Sequence, residues 1–178
     1  HVYVRLTFRA DAPHQVSLAA FTHSDSVALD QCILTATMGN FARLRQLHLA
    51  DRVVTPAQLW PGFSGDAFTE HARFGMAHLS EHPAGGVQVW ATTDEPQPQQ
   101  AQYAEGTAEH WKYVGRRAVQ RWWVPEPDPQ AQVQVNARYC SWASTSPIPG
   151  GASFENFEIA EPYRPGREQV FSIEPLQD

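Results

Sequence analysis

The chain has a single lysine, few cysteines and no apolar run long enough to span a bilayer, and each shortage closes off a class of answers. Cys32 and Cys140 cannot build the disulfide framework of a small secreted scaffold. Both fall in strand-like stretches, so they are either bridged across a sandwich or free and buried, and free, buried thiols are the expectation. Lys112, the one lysine, has Glu109 and polar neighbours around it, which suits a surface position better than Schiff-base chemistry. The net charge is −6 and the arginines are scattered, so nothing resembles the basic footprint of a nucleic-acid binder. Neither nucleic acid nor a membrane is an expected partner. No charged-then-apolar leader precedes the strand pattern that begins beside His1. Either a signal or tag has been removed or the chain belongs to a longer protein, which leaves the compartment open, with the cytoplasm favoured. A Gly-x-Ser-x-Gly elbow and a phosphate-cradling glycine loop are also missing, which removes the usual serine-nucleophile and nucleotide readings.

Long Ala/Leu/Glu/Lys stretches are scarce as well, whereas prolines number 14, and this balance excludes a helical bundle. Period-two alternation fills the space. Val2, Val4, Leu6 and Phe8 alternate with polar residues; a strand over 15–22 follows; Cys32, Leu34, Ala36 and Met38 alternate with Gln31, Ile33, Thr35 and Thr37. Gly39-Asn40 then reads as a hairpin turn joining that strand to one over 41–49, with Arg43 and Arg45 on one face and Leu44, Gln46 and His48 on the other. The stretch from Thr55 to Asp66, rich in proline, glycine and aromatics, reads as a long loop, and long ordered loops are often functional. Residues 72–79 suit either a strand or a short helix. A strand follows at 87–91, then Trp111 to Tyr113 and Arg116 to Val124 as a strand pair or one strand bent around Gly115, and the clearest of all runs from Gln132 to Trp142. It is followed by a Pro/Gly turn, a strand over 154–159 and a closing strand over 169–173.

At 178 residues, these elements fit an all-β, single-domain β-sandwich of jelly-roll type spanning the whole chain. It would have about ten strands. The predicted core is Leu18, Leu34, Val87, Val119, Val133, Val135, Phe154 and Phe157.

The strand at 132–138 supplies the first candidate site. Gln132, Gln134, Asn136 and Arg138 project from one side at intervals of about 6.8 Å, since each residue rises about 3.4 Å. Amides donate and accept together, so such a row suits a hydroxyl-rich ligand, with Trp142 or the pair Trp122 and Trp123 free to stack on sugar rings. The plain alternative is the solvent face of an outer strand. A metal reading of Glu70, His71, His78, Glu81 and His82 rests on His78 and His82 sharing one face if the segment were helical. Gly75 and the alternating apolar residues speak against that helix, so no metal and no other cofactor is expected.

Ala152-Ser-Phe-Glu-Asn-Phe-Glu-Ile159, just after a glycine turn, resembles the Phe-Asp-Asn-Phe/Val-x-Val closing strand of concanavalin-like and related jelly-roll carbohydrate-active domains, with Glu155 in place of the aspartate. The resemblance implies a carbohydrate-binding role. Ala42-Arg-Leu-Arg-Gln-Leu-His48 in turn looks like the arginine-bearing strand of jelly-roll alginate lyases, which implies uronate binding by Arg43 and Arg45, with His48 and Tyr139 as acid and base. Leu44 stands where that pattern carries an acid, and strict alternation points His48 away from both arginines. The functional expectation is therefore a carbohydrate- or other small-ligand-binding domain with an oligosaccharide as its partner. The alternatives are a lyase acting on acidic glycans and a structural or protein-interaction domain. Sheet edges and exposed tryptophans would also serve a homodimer.

Overall fold

The structure, a computed structural model, describes residues 1–37, 44–94, 105, 117–139 and 151–176. The strands run in the order β1 (Val2–Arg9), β2 (Ala12–Thr22), β3 (Gln31–Thr37), β4 (Leu44–His48) and β5 (Val53–Val54). A one-turn helix, α1 (Pro56–Leu59), precedes β6 (Ala72–Gly75), a 3₁₀ turn (Met76–His78) and β7 (Ser80–Glu81). β8 (Val87–Thr93), β9 (Ala118–Val124), β10 (Gln132–Arg138), β11 (Ser153–Pro162) and β12 (Glu168–Pro175) complete the described chain.

These strands form two antiparallel sheets. The larger has eight strands, in the order β1-β2-β12-β9-β8-β4-β5 with β7 on β8, and the smaller has four, in the order β3-β11-β10-β6. Their inner faces meet in one hydrophobic cluster. Leu44, Leu47, Val89, Trp122 and Val124 enter it from the larger sheet, and Phe74, Val133, Val135, Phe157 and Ile159 from the smaller. Fully burying one such side chain contributes roughly 1.5–3 kcal/mol, so this shared face is the main source of stability. Trp122 ties the layers directly, because its indole N–H donates to the Phe157 carbonyl at 2.9 Å. The β1–β2 end of the larger sheet is different. Val2, Val4, Leu6 and Phe8 remain 48–72% exposed along an edge strand.

Val133, Val135, Phe154 and Phe157 fill the core as the sequence predicts, and Leu18, Leu34 and Val87 pack against it half-buried. Val119 does not join them. Its register neighbours are Thr92 and Glu174 on the outer face, while Trp122 and Val124 from the alternate positions of β9 face inward. The larger indole fills more of the space between sheets than a valine would. β3 and β4 are not hairpin partners either: β3 pairs with β11 in the smaller sheet, and β4 pairs with β8 and β5 in the larger. The Gly39-Asn40 turn lies outside the described residues. Residues 72–79 form a short strand and then a 3₁₀ turn, and the Thr55–Asp66 stretch contains helix α1.

Two turns are held by specific chemistry. Gly86 has φ 78°, and a Cβ there would run into the carbonyl oxygens of Val124 and Pro125, so glycine is required where the β7–β8 turn crosses β9. The β11–β12 turn is pinned by charge. Glu161, 3% exposed, accepts from Gln169 Nε2 at 2.8 Å and from Arg167 Nη1 at 2.8 Å. Asp128, also buried, accepts from Arg164 Nη2 at 2.7 Å. No helix is long and apolar enough to cross a membrane among the described residues.

Candidate functional site

A β-bulge begins the site. In the β4–β8 ladder Leu44 opposes Thr93 and Gln46 opposes Thr92, so Arg45 is an extra residue with no partner position. The bulge turns Arg45 toward the end of the sandwich, where its Nε donates to Asp94 Oδ1 at 2.7 Å just beyond β8. The pair is substantially shielded, at 14% and 29% side-chain exposure, which strengthens its field relative to a pair in open water.

Helix α1 closes the other wall. Thr55 is its N-cap in a reciprocal capping box: the Thr55 hydroxyl accepts from the Gln58 backbone N–H, and the Gln58 side chain accepts from the Thr55 N–H at 2.9 Å. Pro56 at the first helical position has no N–H to leave unpaired. The capped turn fixes Trp60, whose ring meets Phe154 edge-on at 6.3 Å and is thereby anchored to the core. Gly62, with φ 73°, then reverses the chain so that Phe63 also reaches the cavity.

Between these walls lies a pocket of about 450 Å³. Trp60, Phe63 and Tyr139 supply its aromatic surface, Arg45 and Asp94 its charge, and Gly151 and Ala152 at the entry to β11 a shallow side without bulk. That combination, apolar walls with a few convergent polar groups, is what small-ligand sites present. Arg45 offers donors, Asp94 acceptors and the Tyr139 hydroxyl either.

The structure redistributes the residues expected to act together. Arg45 and Tyr139 line one pocket. His48 does not: it stands on the outer face of the larger sheet, its Nε2 2.8 Å from Thr92 Oγ1 and its ring stacked on Trp90 at 5.4 Å. Burial lowers the pKa of His48. The bulge also separates Leu44, which is in the core, from Gln46 and His48, which are not, correcting the assignment of all three to one face. Arg43, Cys140, Trp142 and Lys112 lie outside the described residues. Cys32 is free and half-buried, its thiol pKa raised by burial and by the Glu161 charge.

The row on β10 lies on the outer face of the smaller sheet, opposite in parity to Val133, Val135 and Ala137. It does not offer its amides to solvent. Gln134 is 5% and Asn136 3% exposed: Gln134 lies between Glu158 of β11 and Arg73 of β6, and Asn136 lies opposite Asn156 of β11. Asn136 Oδ1 accepts from the Asn156 N–H at 3.1 Å, and its Nδ2 lies 3.4 Å from His71 Nε2. Arg138 Nε donates to the Asp66 carbonyl at 3.1 Å and its guanidinium covers Phe68. Gln132 is half-buried.

The histidines of the metal reading separate as well. His71 lies 3.4 Å from Glu158, His78 3.1 Å from Asp51, and His82 stacks on Trp123 at 4.2 Å. Among the described residues no three potential ligands converge.

A second bulge holds an unusual group. Asn136 opposes Asn156 and Ala137 opposes Phe154, leaving Glu155 as the inserted residue. It is fully buried with neither carboxylate oxygen hydrogen-bonded, and burial pushes its pKa up to about 7 against the opposing pull of Arg138.

Sequence reasoning missed Trp60, Phe63 and Asp94. Thr55-Pro-Ala-Gln58 held the signal, since a capping box with proline at the first helical position marks an ordered turn that fixes the residues directly after it. No protein-family model, curated protein or solved structure matches this chain.

Proposed function

We propose that the protein is a carbohydrate-binding β-sandwich domain whose ligand seats in the pocket between α1, the Arg45 bulge and the start of β11. The observation that carries this reading is the grouping of Trp60, Phe63 and Tyr139 around a shielded Arg45–Asp94 pair. Aromatic faces cover the C–H faces of a sugar ring, while the ion pair and the phenol exchange hydrogen bonds with its hydroxyls. The described pocket lining contains no histidine, and binding requires no acid–base pair. A jelly-roll winding fits the nested antiparallel pairs β2–β12, β3–β11, β6–β10 and β8–β9, the pattern left when one long hairpin is rolled up.

The test is a thermal-shift and calorimetric screen of the purified chain against neutral oligosaccharides, repeated with Trp60→Ala. A ligand that binds only the folded state raises Tm by mass action. The expected result is a shift with at least one neutral oligosaccharide that Trp60→Ala removes. Ligand binding that survives Trp60→Ala unchanged would place the site elsewhere and overturn the reading.

A further inference from the structure

The outer face of the larger sheet carries a second set of groups, unconnected with the pocket. Across the strands, His48 opposes Trp90, Trp90 opposes Arg121, and Arg121 opposes Ser172. The Arg121 guanidinium lies over the Trp90 ring, 5.8 Å from its centroid. Two residues along β9, Trp123 stands on the same face, stacked with His82 and held by an indole N–H bond to the Gly85 carbonyl at 2.8 Å. His82 Nδ1 accepts from the Ala84 N–H at 3.2 Å, so the neutral ring carries its proton on Nε2. The Thr92 hydroxyl donates to Gln46 Oε1 at 3.1 Å, so the 2.8 Å contact from His48 Nε2 is a donation into Thr92, which fixes the second ring as well.

Arg121 is the exception in this ordered layer. It forms no hydrogen bond or ion pair with any described residue, and of its guanidinium atoms only Nε is both buried and unpartnered, so both Nη atoms remain open. The acid nearest in register is Glu174, diagonal to it beside Val119, and Glu174 faces His14 at 3.5 Å. The Arg121 charge is felt locally: after burial, it is the second cause lowering the pKa of His82. A guanidinium held over an indole, with no carboxylate partner among the described residues, is a preorganised fork for a planar anion.

We infer that this face is a separate binding subsite for a carboxylate-bearing sugar, a uronate, with Arg121 gripping the carboxylate bidentately and the Trp90 and Trp123 edges flanking the ring. Trp90 and Trp123 are also the built-in probes, since an anion seated at Arg121 changes their fluorescence. The subsite extends the carbohydrate reading to acidic glycans, yet it shares no residue with the pocket, so the two fail independently.

The test titrates the full chain with a linear uronate tetramer and with the same tetramer after reduction of its carboxyls, following tryptophan fluorescence and calorimetry. Losing a charged hydrogen-bond pair costs enough to weaken binding about 10- to 100-fold. The reduced tetramer and the Arg121→Gln variant should each show that loss, with Arg121→Lys intermediate because an ammonium lacks the fork. Arg121→Gln should lower Tm only slightly, since it gives up the contact with the Trp90 ring but strands no described hydrogen-bond or ion-pair partner. Trp60→Ala should keep the preference for the uronate. Equal affinity for both tetramers, unchanged uronate binding by Arg121→Gln, or loss of the preference in Trp60→Ala would overturn the inference. So would competition by inorganic phosphate at concentrations no higher than the uronate, which marks a general anion site.

Discussion

Two glutamates on β11, Glu155 and Glu161, are both buried, and they have opposite surroundings. Glu161 accepts from Gln169 and Arg167, and the Asp128 N–H reaches it at 3.3 Å. Glu155, displaced by its bulge, accepts nothing. Burial alone therefore does not decide the ionic state of a carboxyl; the donors that accompany it do. One glutamate is a structural anion that locks the β11–β12 turn, and the other is a titratable group inside the sandwich.

The sharpest way to break the contrast is to remove the partnered acid. Glu161→Ala leaves Arg167, only 12% exposed, with much of its charge uncompensated, and should cost about 3–5 kcal/mol in chemical denaturation at pH 7. A loss below about 1 kcal/mol would mean that the network contributes packing rather than charge pairing.

The unpartnered acid should behave in the opposite sense. Its pKa rises from the ordinary 4.5 to about 7 on folding, so the folded chain holds more protons than the unfolded chain between those values. The stabilising effect of the proton is complete below pH 4.5 and is lost as pH climbs through 7, a swing on the order of 3 kcal/mol. Glu155→Gln cannot ionise. It should match the parent near pH 4, exceed it in Tm at pH 8, and remove this component of the pH dependence; a parent and variant with parallel profiles would show that Glu155 is not buried as a carboxylic acid.

The smallest effect reads the Glu161 charge at a distance. Burial is the larger cause of the raised Cys32 pKa and Glu161 the smaller. Glu161→Gln should therefore speed iodoacetamide labelling of Cys32 at pH 8 by less than about tenfold, the equivalent of one pKa unit. Glu155→Gln should leave that rate unchanged.

Much of the sandwich was legible because alternation survives wherever a strand is uninterrupted. Gln132–Arg138 shows it without a break, and Val133 and Val135 are core residues as read. Two local events broke the pattern, and the first of them hid the pocket. Leu44-Arg-Gln-Leu-His48 and Phe154-Glu-Asn-Phe-Glu158 share a pattern, an apolar residue, a charge, an amide, then the next apolar residue three positions on. Skip Arg45 and Glu155, and both strands alternate strictly with their apolar residues inward. Strict period two applied to the uninterrupted text therefore put Leu44 beside His48 and gave no hint that Arg45 turns to the rim. Parity also could not choose which side of β9 faces inward, since Val119, Arg121 and Trp123 against Ala118, Gln120 and Trp122 are nearly matched in hydrophobicity. Pairing between distant segments, such as β3 with β11, is written in no local pattern at all.

The half-exposed β1 strand gives the molecule an uneven temper. Around Trp122 every layer is backed by another, so amides of β9, β10 and β11 should exchange with deuterium only when the whole domain opens. Among the described strands β1 has a neighbour on one side only, and all of its residues are exposed. Its protons should exchange first, through fraying that leaves both candidate sites intact, making the fold a stiff centre that carries a compliant wing.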